Sequence, residues 1–416
     1  MTDKHCGIII TNIGQLVTYK DADDILRGNE MNKLNIVENG AIAINNDEIV
    51  AVGTSREIFG HYEANNYIDA REMLVTPGLI DCHTHPVFFK SRAEEFELRL
   101  AGRNYEEILE AGGGIHNSAE ALRNANPELL KNLVKSRVEQ FLNNGTTTLE
   151  AKTGYGLSKF SELMSLEILQ KINEFSPVEI VSTFLGAHVI PAEYTNKREE
   201  YIKLIINMLP EIAEKKLAEY IDVFIEENAF TAEEANEICT KASKHGLKIR
   251  LHVNQFNNLG GIETAVDVGS LTVEHLEVLS GAEIKIIKEN NLIPVLLPGC
   301  SFFLNDNRYP DARKLIDDDL PIVIATDYNP GSSYIMSLPF IMTLSVMHMN
   351  MTPAEALTAC TVNAAYALDR GSKIGKIKEG YKADIVIWKV PHYRELSYSI
   401  AQNQVNTVIK NGRIVV

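Results

Sequence analysis

Eight short apolar runs alternate with helical stretches along the middle of this chain, and this alternation limits its possible folds. The stretches between the runs, such as 127–144, 197–216, 232–245 and 282–290, repeat apolar residues about every 3.6 positions. Strands alternating with helices predict a parallel sheet, and eight of them predict a closed (β/α)8 barrel of the TIM type. A doubly wound open sheet is the alternative, because periodicity does not show closure. The runs are 74–83, 145–151, 179–188, 220–225, 248–252, 271–276, 292–297 and 321–326.

The two ends of the chain have a different character, since both are rich in strand-like runs. Near the N-terminus these runs cover 7–10, 40–45 and 48–52, and near the C-terminus they cover 384–388 and 405–410. Turn signals separate several of them, including Asn45-Asn46-Asp47 and Asn411-Gly412. We therefore expect residues 1–73 and 374–416 to form one composite β-sandwich domain beside a catalytic barrel domain of residues 74–373.

Charge and cysteine content indicate the partners and the compartment. The 416 residues carry 40 Lys and Arg against 56 Asp and Glu, a formal net charge of −16. Such a balance argues against nucleic acid or an anionic membrane surface as the main partner. The 5 cysteines form no CxxC pair, which is typical of reduced thiols in a cytosol. With no apolar run near the ~20 residues of a membrane span, we expect a cytoplasmic protein.

Residues that bind metals are concentrated where the predicted barrel strands end. The active site of such a barrel lies at the C-terminal ends of its strands, so these residues are expected to meet there. They are His83 and His85 in the first run, His188 in the third, His252 in the fifth, His275 in the sixth and Asp327 after the eighth.

Four of these residues suit a single divalent ion. His83 and His85 are two positions apart, which places both rings on one face of a strand. With His252 and Asp327 they offer three nitrogens and one oxygen, and zinc or ferrous iron fits this set. Zinc lowers the pKa of a bound water to about 7, and Asp327 can then carry a proton from that water to a leaving nitrogen.

Further residues near the strand ends are candidates for substrate contacts. His188 and His275 can polarise a carbonyl or hydrogen-bond an oxyanion. Arg92 offers a two-pronged donor to a carboxylate, which an anionic substrate of this acidic protein requires. Candidates for the remaining contacts are the rings of Tyr105 and Tyr155, the backbone N–H of Gly331 and the hydroxyl of Ser332.

The segment Thr76-Pro-Gly-Leu-Ile-Asp-Cys-His-Thr-His85 resembles the opening motif of the metal-dependent amidohydrolase superfamily. The segment Gly380-Tyr-Lys-Ala-Asp-Ile-Val386 is similar to part of its composite small domain. More narrowly, the chain resembles a family of cyclic amidases of histidine degradation. The segments that carry this narrower resemblance are 112–115, 152–157, 182–188 with Pro191, 296–299, Ala325-Thr-Asp-Tyr-Asn-Pro-Gly-Ser-Ser333 and 361–366.

The resemblance implies hydrolysis of the ring amide of imidazolone propanoate to N-formimino-L-glutamate. It implies a homodimer, and one zinc or iron ion held by His83, His85, His252 and Asp327, with no carbamylated lysine at Lys152. His275 assists at the reacting carbonyl. The implied contacts to substrate or product are Arg92, Tyr155, His188, Gln255, Asn329, Gly331 and Ser332.

One segment departs from the family pattern, and two other functions stay open. Asn254-Gln255 stands where the family often has Asp followed by Glu or Gln, and a neutral Gln255 cannot carry a proton. Deamination of a heteroaromatic ring would use the same metal ligands, but a nucleobase has no carboxylate for Arg92 to bind. A scaffold that has lost catalysis is the other hypothesis, although all four candidate ligands are present.

Overall fold

The protein is described by a computed structural model that covers residues 4–103 and 113–416. Within these ranges the strands are β1 Lys4–Val17, β2 Ile36–Asn45, β3 Glu48–Thr54, β4 Tyr62–Asp69, β5 Leu74–Pro77, β6 Leu79–Asp81, β7 Thr146–Lys152, β8 Glu179–Ala187, β9 Tyr220–Phe224, β10 Lys248–Val253, β11 Thr272–His275, β12 Ile293–Leu296, β13 Val323–Ile324, β14 Ile385–Trp388, β15 Val405–Lys410 and β16 Arg413–Ile414.

The helices lie mostly between the central strands. They are α1 Ser55–Phe59, α2 Ala93–Leu100, α3 Gly114–Arg123, α4 Pro127–Asn143, α5 Lys159–Asn173, α6 Arg198–Glu214, α7 Ala232–Lys244, α8 Gly261–Val268, α9 Gly281–Glu289, α10 Pro298–Leu304, α11 Ala312–Asp317, α12 Leu338–His348, α13 Pro353–Ala359, α14 Val362–Ala367 and α15 Arg394–Tyr398, with 3-10 turns at Gly28–Asn32 and Ala192–Tyr194. None of the helices in the described ranges has the length and apolar character needed to cross a membrane.

Strands β6 to β13 form the barrel, in sequence order and each parallel to its neighbours. Just beyond β6 and β13, Thr84 pairs with Tyr328, and this bridge joins the first strand to the last. The predicted eight-stranded α/β barrel is confirmed, because the end strands of a doubly wound sheet would not meet.

Both chain ends contribute to a second, mixed sheet of eight strands. Its order is β16-β15-β14-β5-β1-β2-β3. Strand β4 is parallel to the first part of β1, on the edge of β1 that faces away from β2. The predicted first barrel run, 74–83, is divided between the sheets, since β5 pairs with β1 and β14 while β6 enters the barrel. The chain crosses at Gly78, where a Cβ atom would come within 2.3 Å of the Thr147 hydroxyl oxygen. Residues 1–73 plus 374–416 remain our proposed composite domain.

Local sequence signals explain where several barrel helices begin. Thr231 starts α7 and Ser280 starts α9 with a capping box, in which the side chain accepts from the backbone three residues on. Asn126 caps α4, whose first residue is Pro127. Each cap satisfies N–H groups of the first helical turn and so fixes the residue at which its helix begins.

Trp388 packs between the mixed sheet and the barrel. Its indole is fully buried and donates to the Thr76 hydroxyl at 2.9 Å. The ring also lies against Gly145, just before β7, where a Cβ atom would come within 2.9 Å of it. Gly145 has a φ of +91°, so both the close approach and the backbone conformation favour glycine.

We expect Trp388→Ala to reduce the free energy of unfolding by about 3–5 kcal/mol, because it leaves a large cavity between the two sheets. Denaturant unfolding followed by far-UV circular dichroism measures the change. Phe175→Ala is the matched control, because that side chain is 86% exposed and its removal should cost less than about 0.5 kcal/mol. Equal effects of the two variants would contradict this account of the packing.

Candidate active site

Four donor atoms meet at the C-terminal end of the barrel. The His85 Nε2 atom lies 3.2 Å from His83 Nε2 and 3.4 Å from His252 Nε2. The Asp327 Oδ1 atom lies 3.5 Å from His83 Nε2 and 3.4 Å from His85 Nε2. Ligands about 2.1 Å from a tetrahedral ion are spaced about 3.4 Å apart, so these residues fit one divalent metal ion.

The closure of the barrel brings the ligands of its first and last strands together. The Asp327 N–H donates to the His83 carbonyl at 3.1 Å, and the His85 N–H donates to the Tyr328 carbonyl at 2.8 Å. Asp327 adopts a left-handed conformation with a φ of +51°. Its carboxylate therefore leaves the line of β13 and reaches the imidazoles.

The imidazoles are neutral and able to coordinate. Burial, followed by the positive charge of Lys152, lowers the pKa of His83 and of His85 to about 3. The same two causes hold the pKa of His252 well below its usual range. At neutral pH these rings therefore have a nitrogen lone pair available.

Buried carboxylates behind the rings determine which nitrogen faces the centre. The Nδ1 atom of His83 lies 2.5 Å from Glu274 Oε2, and that of His252 lies 2.8 Å from Asp222 Oδ2. A carboxylate favours a proton on the nitrogen that it faces, which leaves the lone pair on Nε2. Burial alone would raise the pKa of Glu274, but the charges of Arg250 and Lys152, with the hydrogen bond from His83, hold it well below its usual range. We did not predict these carboxylates, although acidic residues inside buried strands could have indicated them.

His188 and His275 lie beside the four donors in different protonation environments. The His188 Nδ1 atom lies 3.0 Å from the Gly154 carbonyl, which can only accept. Burial lowers the pKa of His188 to about 3, so its neutral Nε2 is an acceptor and cannot donate to an oxyanion. For His275 burial opposes protonation, but Glu277, with Oε1 3.5 Å from Nδ1, raises the pKa overall. Of the two histidines, His275 is the one suited to donate.

Arg92 lies next to Tyr155 and to the loop that follows Asp327. Its Nε donates to the Ser118 hydroxyl at 2.9 Å, and its guanidinium carbon lies 5.9 Å from the centre of the Tyr155 ring. Burial raises the pKa of Tyr155, so its phenol stays neutral. A Cβ atom at Gly331 would lie 2.5 Å from Arg92 Nη1, so only glycine permits this approach.

The loop after Asp327 is held together by Asn329. Its Nδ2 donates to the Asp327 carbonyl and the Ser332 hydroxyl, and its Oδ1 accepts from the N–H groups of Gly331 and Ser332. The Gly331 N–H, expected to contact substrate, is thus already bonded. Both N–H donors and both acceptor positions of the Asn329 amide are also used. In this conformation Asn329 and Gly331 therefore stabilise the loop through hydrogen bonds within it.

Two further predicted contacts have different outcomes. Gln255 is buried beside the site and donates from Nε2 to the Cys300 sulfur at 3.3 Å, a neighbour that the sequence did not indicate. Tyr105 lies outside the described residues, so its predicted place in the pocket wall stays a prediction.

The chain is similar to known proteins over almost its whole length. The amidohydrolase family matches residues 74–415. Imidazolonepropionase from Geobacillus sp. (strain WCH70) is 43% identical over 98% of each chain. Imidazolonepropionase from Bacillus cereus (strain G9842) is 41% identical over 98% of this chain and 96% of the relative.

Solved structures with much lower identity share the fold. A triazine hydrolase from Arthobacter aurescens has a TM-score of 0.76 at 15% identity, covering 98% of this chain and 94% of that one. An adenosine deaminase from Xanthomonas campestris with bound zinc has a TM-score of 0.73 at 16% identity, covering 99% and 93%. At this identity the likeness supports the barrel and its companion sheet alone.

We expect His85→Ala to lose bound metal, because it removes one of four donors, and His188→Ala to retain it. The two rings are stacked with centroids 5.6 Å apart, so the second variant makes a similar cavity nearby. Elemental analysis of the purified variants measures the metal. Loss of metal from both variants would contradict the assignment of His188 as a residue that is not a ligand.

Proposed function

This chain belongs to the amidohydrolase family, and on that premise we propose that it hydrolyses the ring amide C–N bond of imidazolone propanoate to N-formimino-L-glutamate. The relatives named imidazolonepropionase support this substrate, since they match along 98% of the chain. The observation that carries the proposal is the cation of Arg92 near a metal-type donor set, since the Tyr155 ring lies 5.9 Å from the Arg92 guanidinium and 6.1 Å from the His85 ring. A carboxylate-bearing ring satisfies both features at once.

The proposal includes one divalent ion per chain, zinc or iron, held by His83, His85, His252 and Asp327. When bound, such an ion supplies a water acidified to near-neutral pKa and a Lewis acid for the carbonyl. The neutral imidazoles and the spacing of the four donors support this assignment. Lys152 has no part in coordination, because its ammonium is engaged by three carboxylates.

Proton transfer during ring opening is assigned to Asp327. Its carboxylate accepts a proton from the attacking water and delivers it to the ring nitrogen that leaves. Gln255 stands nearby but has no titratable proton, so it serves as a hydrogen-bond partner only. A route through Asp327 is therefore the one that needs no carboxylate at position 255.

The two remaining histidines orient the ring. His275 donates a hydrogen bond to the carbonyl oxygen, where negative charge develops as the water attacks. His188 accepts an N–H of the imidazolone ring through Nε2, because its Nδ1 is bonded to the Gly154 carbonyl. A ring with an N–H next to a carbonyl satisfies both histidines.

We also propose a homodimer in the cytoplasm. The family resemblance supports the dimer, and the cysteines support a reducing compartment, since all five are buried as free thiols. The net charge of −16 argues against nucleic acid or an anionic membrane as a partner, and Arg92 supplies the local cation that a small anionic substrate needs.

An assay with imidazolone propanoate tests the function directly. We expect loss of the imidazolone absorbance with formation of N-formimino-L-glutamate, activity lost on chelation, and its return with Zn²⁺ or Fe²⁺. Ammonia release from a heteroaromatic amine, with no turnover of the imidazolone, would favour a deaminase instead. No turnover of either by the metal-loaded protein would favour a scaffold.

We expect Arg92→Ala to reduce kcat/KM at least about a hundredfold, because hydrogen bonds between charged groups contribute about 1.5–3 kcal/mol each and about 1.4 kcal/mol is tenfold. Arg92→Lys should recover part of the loss, since a single ammonium lacks the two-pronged geometry. Steady-state kinetics with imidazolone propanoate measures both.

Metal content should be unchanged in both Arg92 variants, and Arg313→Ala is the matched control. Arg313 pairs with Asp317 and Glu355 in the α11 region and belongs to no part of the proposed site. Near-normal kcat/KM in Arg92→Ala would show that the carboxylate is bound elsewhere.

A further inference from the structure

Three buried carboxylates surround one ammonium group inside the barrel. The Lys152 Nζ atom lies 2.9 Å from Glu150 Oε1, 2.8 Å from Asp222 Oδ2 and 3.1 Å from Glu274 Oε2. All four side chains are fully inaccessible to solvent. They come from β7, β9 and β11, so the ammonium links strands that are not neighbours. We call these four side chains the Lys152 cluster.

Two carboxylates of the Lys152 cluster also face the candidate ligands. Glu274 contacts the His83 ring and Asp222 contacts the His252 ring, through the same oxygens that face the ammonium. Glu274 Oε1 is held separately by Arg250 and by the Thr272 hydroxyl. Asp222 Oδ1 is held by the backbone N–H of His252. Neither carboxylate can turn without breaking a second contact.

Lys152 also occupies the position at which a second metal ion could bind. Oxygens of Asp222 and Glu274 and a nitrogen of His252 lie within 4.8 Å of one another, as the ligands of an ion would. The ammonium lies within 3.1 Å of both of those carboxylates and already offsets part of their negative charge. A metal ion at the same point would have to displace it.

We infer that Lys152, Asp222 and Glu274 act as one positioning unit, which orients His83 and His252 for a single metal ion and excludes a second ion behind them. This inference rests on the proposed metal ion but not on the identity of the substrate. The three side chains are positioning residues, since they act through the imidazoles.

Isosteric amides test the unit because they keep the volume and remove the charge. In Asp222→Asn or Glu274→Gln, the remaining oxygen has lost its negative charge and so holds the imidazole and the ammonium less strongly, and the amide N–H₂ repels whichever donor it faces. Loss of such a partner behind a ligand typically weakens metal binding about 10–100-fold. We expect this loss in Co²⁺ affinity for each variant, with altered visible absorption bands of the bound Co²⁺.

The double variant tests whether Lys152 joins the two carboxylates. When one carboxylate loses its charge, the Lys152 ammonium shifts toward the carboxylate that is still charged. That shift weakens the hydrogen bond between the charged carboxylate and its own histidine. Each single variant then already disturbs both rings, so the double variant should lose less affinity than the product of the two single losses. Losses that multiply would show that each carboxylate orients its histidine independently, and would overturn the joint unit.

Asp384→Asn is the matched control. Its carboxylate is also buried, with 3% of the side chain exposed, and it accepts from the Lys410 ammonium at 2.7 Å and from the backbone N–H of Asn411. It should lower the melting temperature of the metal-free protein and leave Co²⁺ affinity unchanged. If Asp222→Asn and Glu274→Gln behaved like this control, their role would be structural and the inference would be wrong.

Metal stoichiometry tests the exclusion of a second ion. Wild-type protein should take up one Co²⁺ per chain at saturation, and Lys152→Met, where it folds, should take up a second or bind the first more weakly. Two ions in the wild type would overturn the inference while leaving hydrolysis possible. A wild type that binds no Co²⁺, Zn²⁺ or Fe²⁺ would overturn the proposed metal and the inference with it.

Discussion

The first and last strands of the barrel meet at one short stretch of backbone, and the position of the candidate ligands depends on that contact. The bridge between Thr84 and Tyr328 and the bond from the Asp327 N–H to the His83 carbonyl close the cylinder. Below them, Asp81 accepts from the backbone and hydroxyl of Thr326 and ties the two strands again. Barrel closure therefore brings together three of the four donors, those of His83, His85 and Asp327, and His252 reaches them from β10.

Side chains around the reacting atoms are oriented by groups whose hydrogen bonds are already used. Glu162 accepts from the N–H groups of Gly154, Gly156 and Leu157, which holds the loop that carries Tyr155. The carbonyl of Gly154 in turn determines which nitrogen of His188 is an acceptor. Such saturation keeps catalytic groups in one geometry, because any movement would leave a buried polar atom unpaired.

The barrel and the gathering of the ligands could be predicted from the sequence, because strand alternation and the residues that end each strand are local features. His188 could be predicted as a neighbour of the site, but not as an acceptor, since its tautomer depends on the backbone of another loop. The hydrogen bonds of the Asn329 side chain could not be predicted either, because they depend on the conformation of the turn after Asp327. The partners of Lys152 could not be assigned from the sequence. Strand periodicity does not show which inward-facing residues of different strands lie at the same height in the barrel.

Anomalous diffraction from crystals of the purified protein, recorded at the zinc and iron absorption edges, shows how many metal ions each chain holds and which residues bind them. We expect one peak per chain at one of these edges, between the Nε2 atoms of His83, His85 and His252 and the carboxylate of Asp327. The ammonium of Lys152 should remain among its three carboxylates. A second peak beside Asp222 and Glu274, or a single peak that does not contact Asp327, would contradict this expectation.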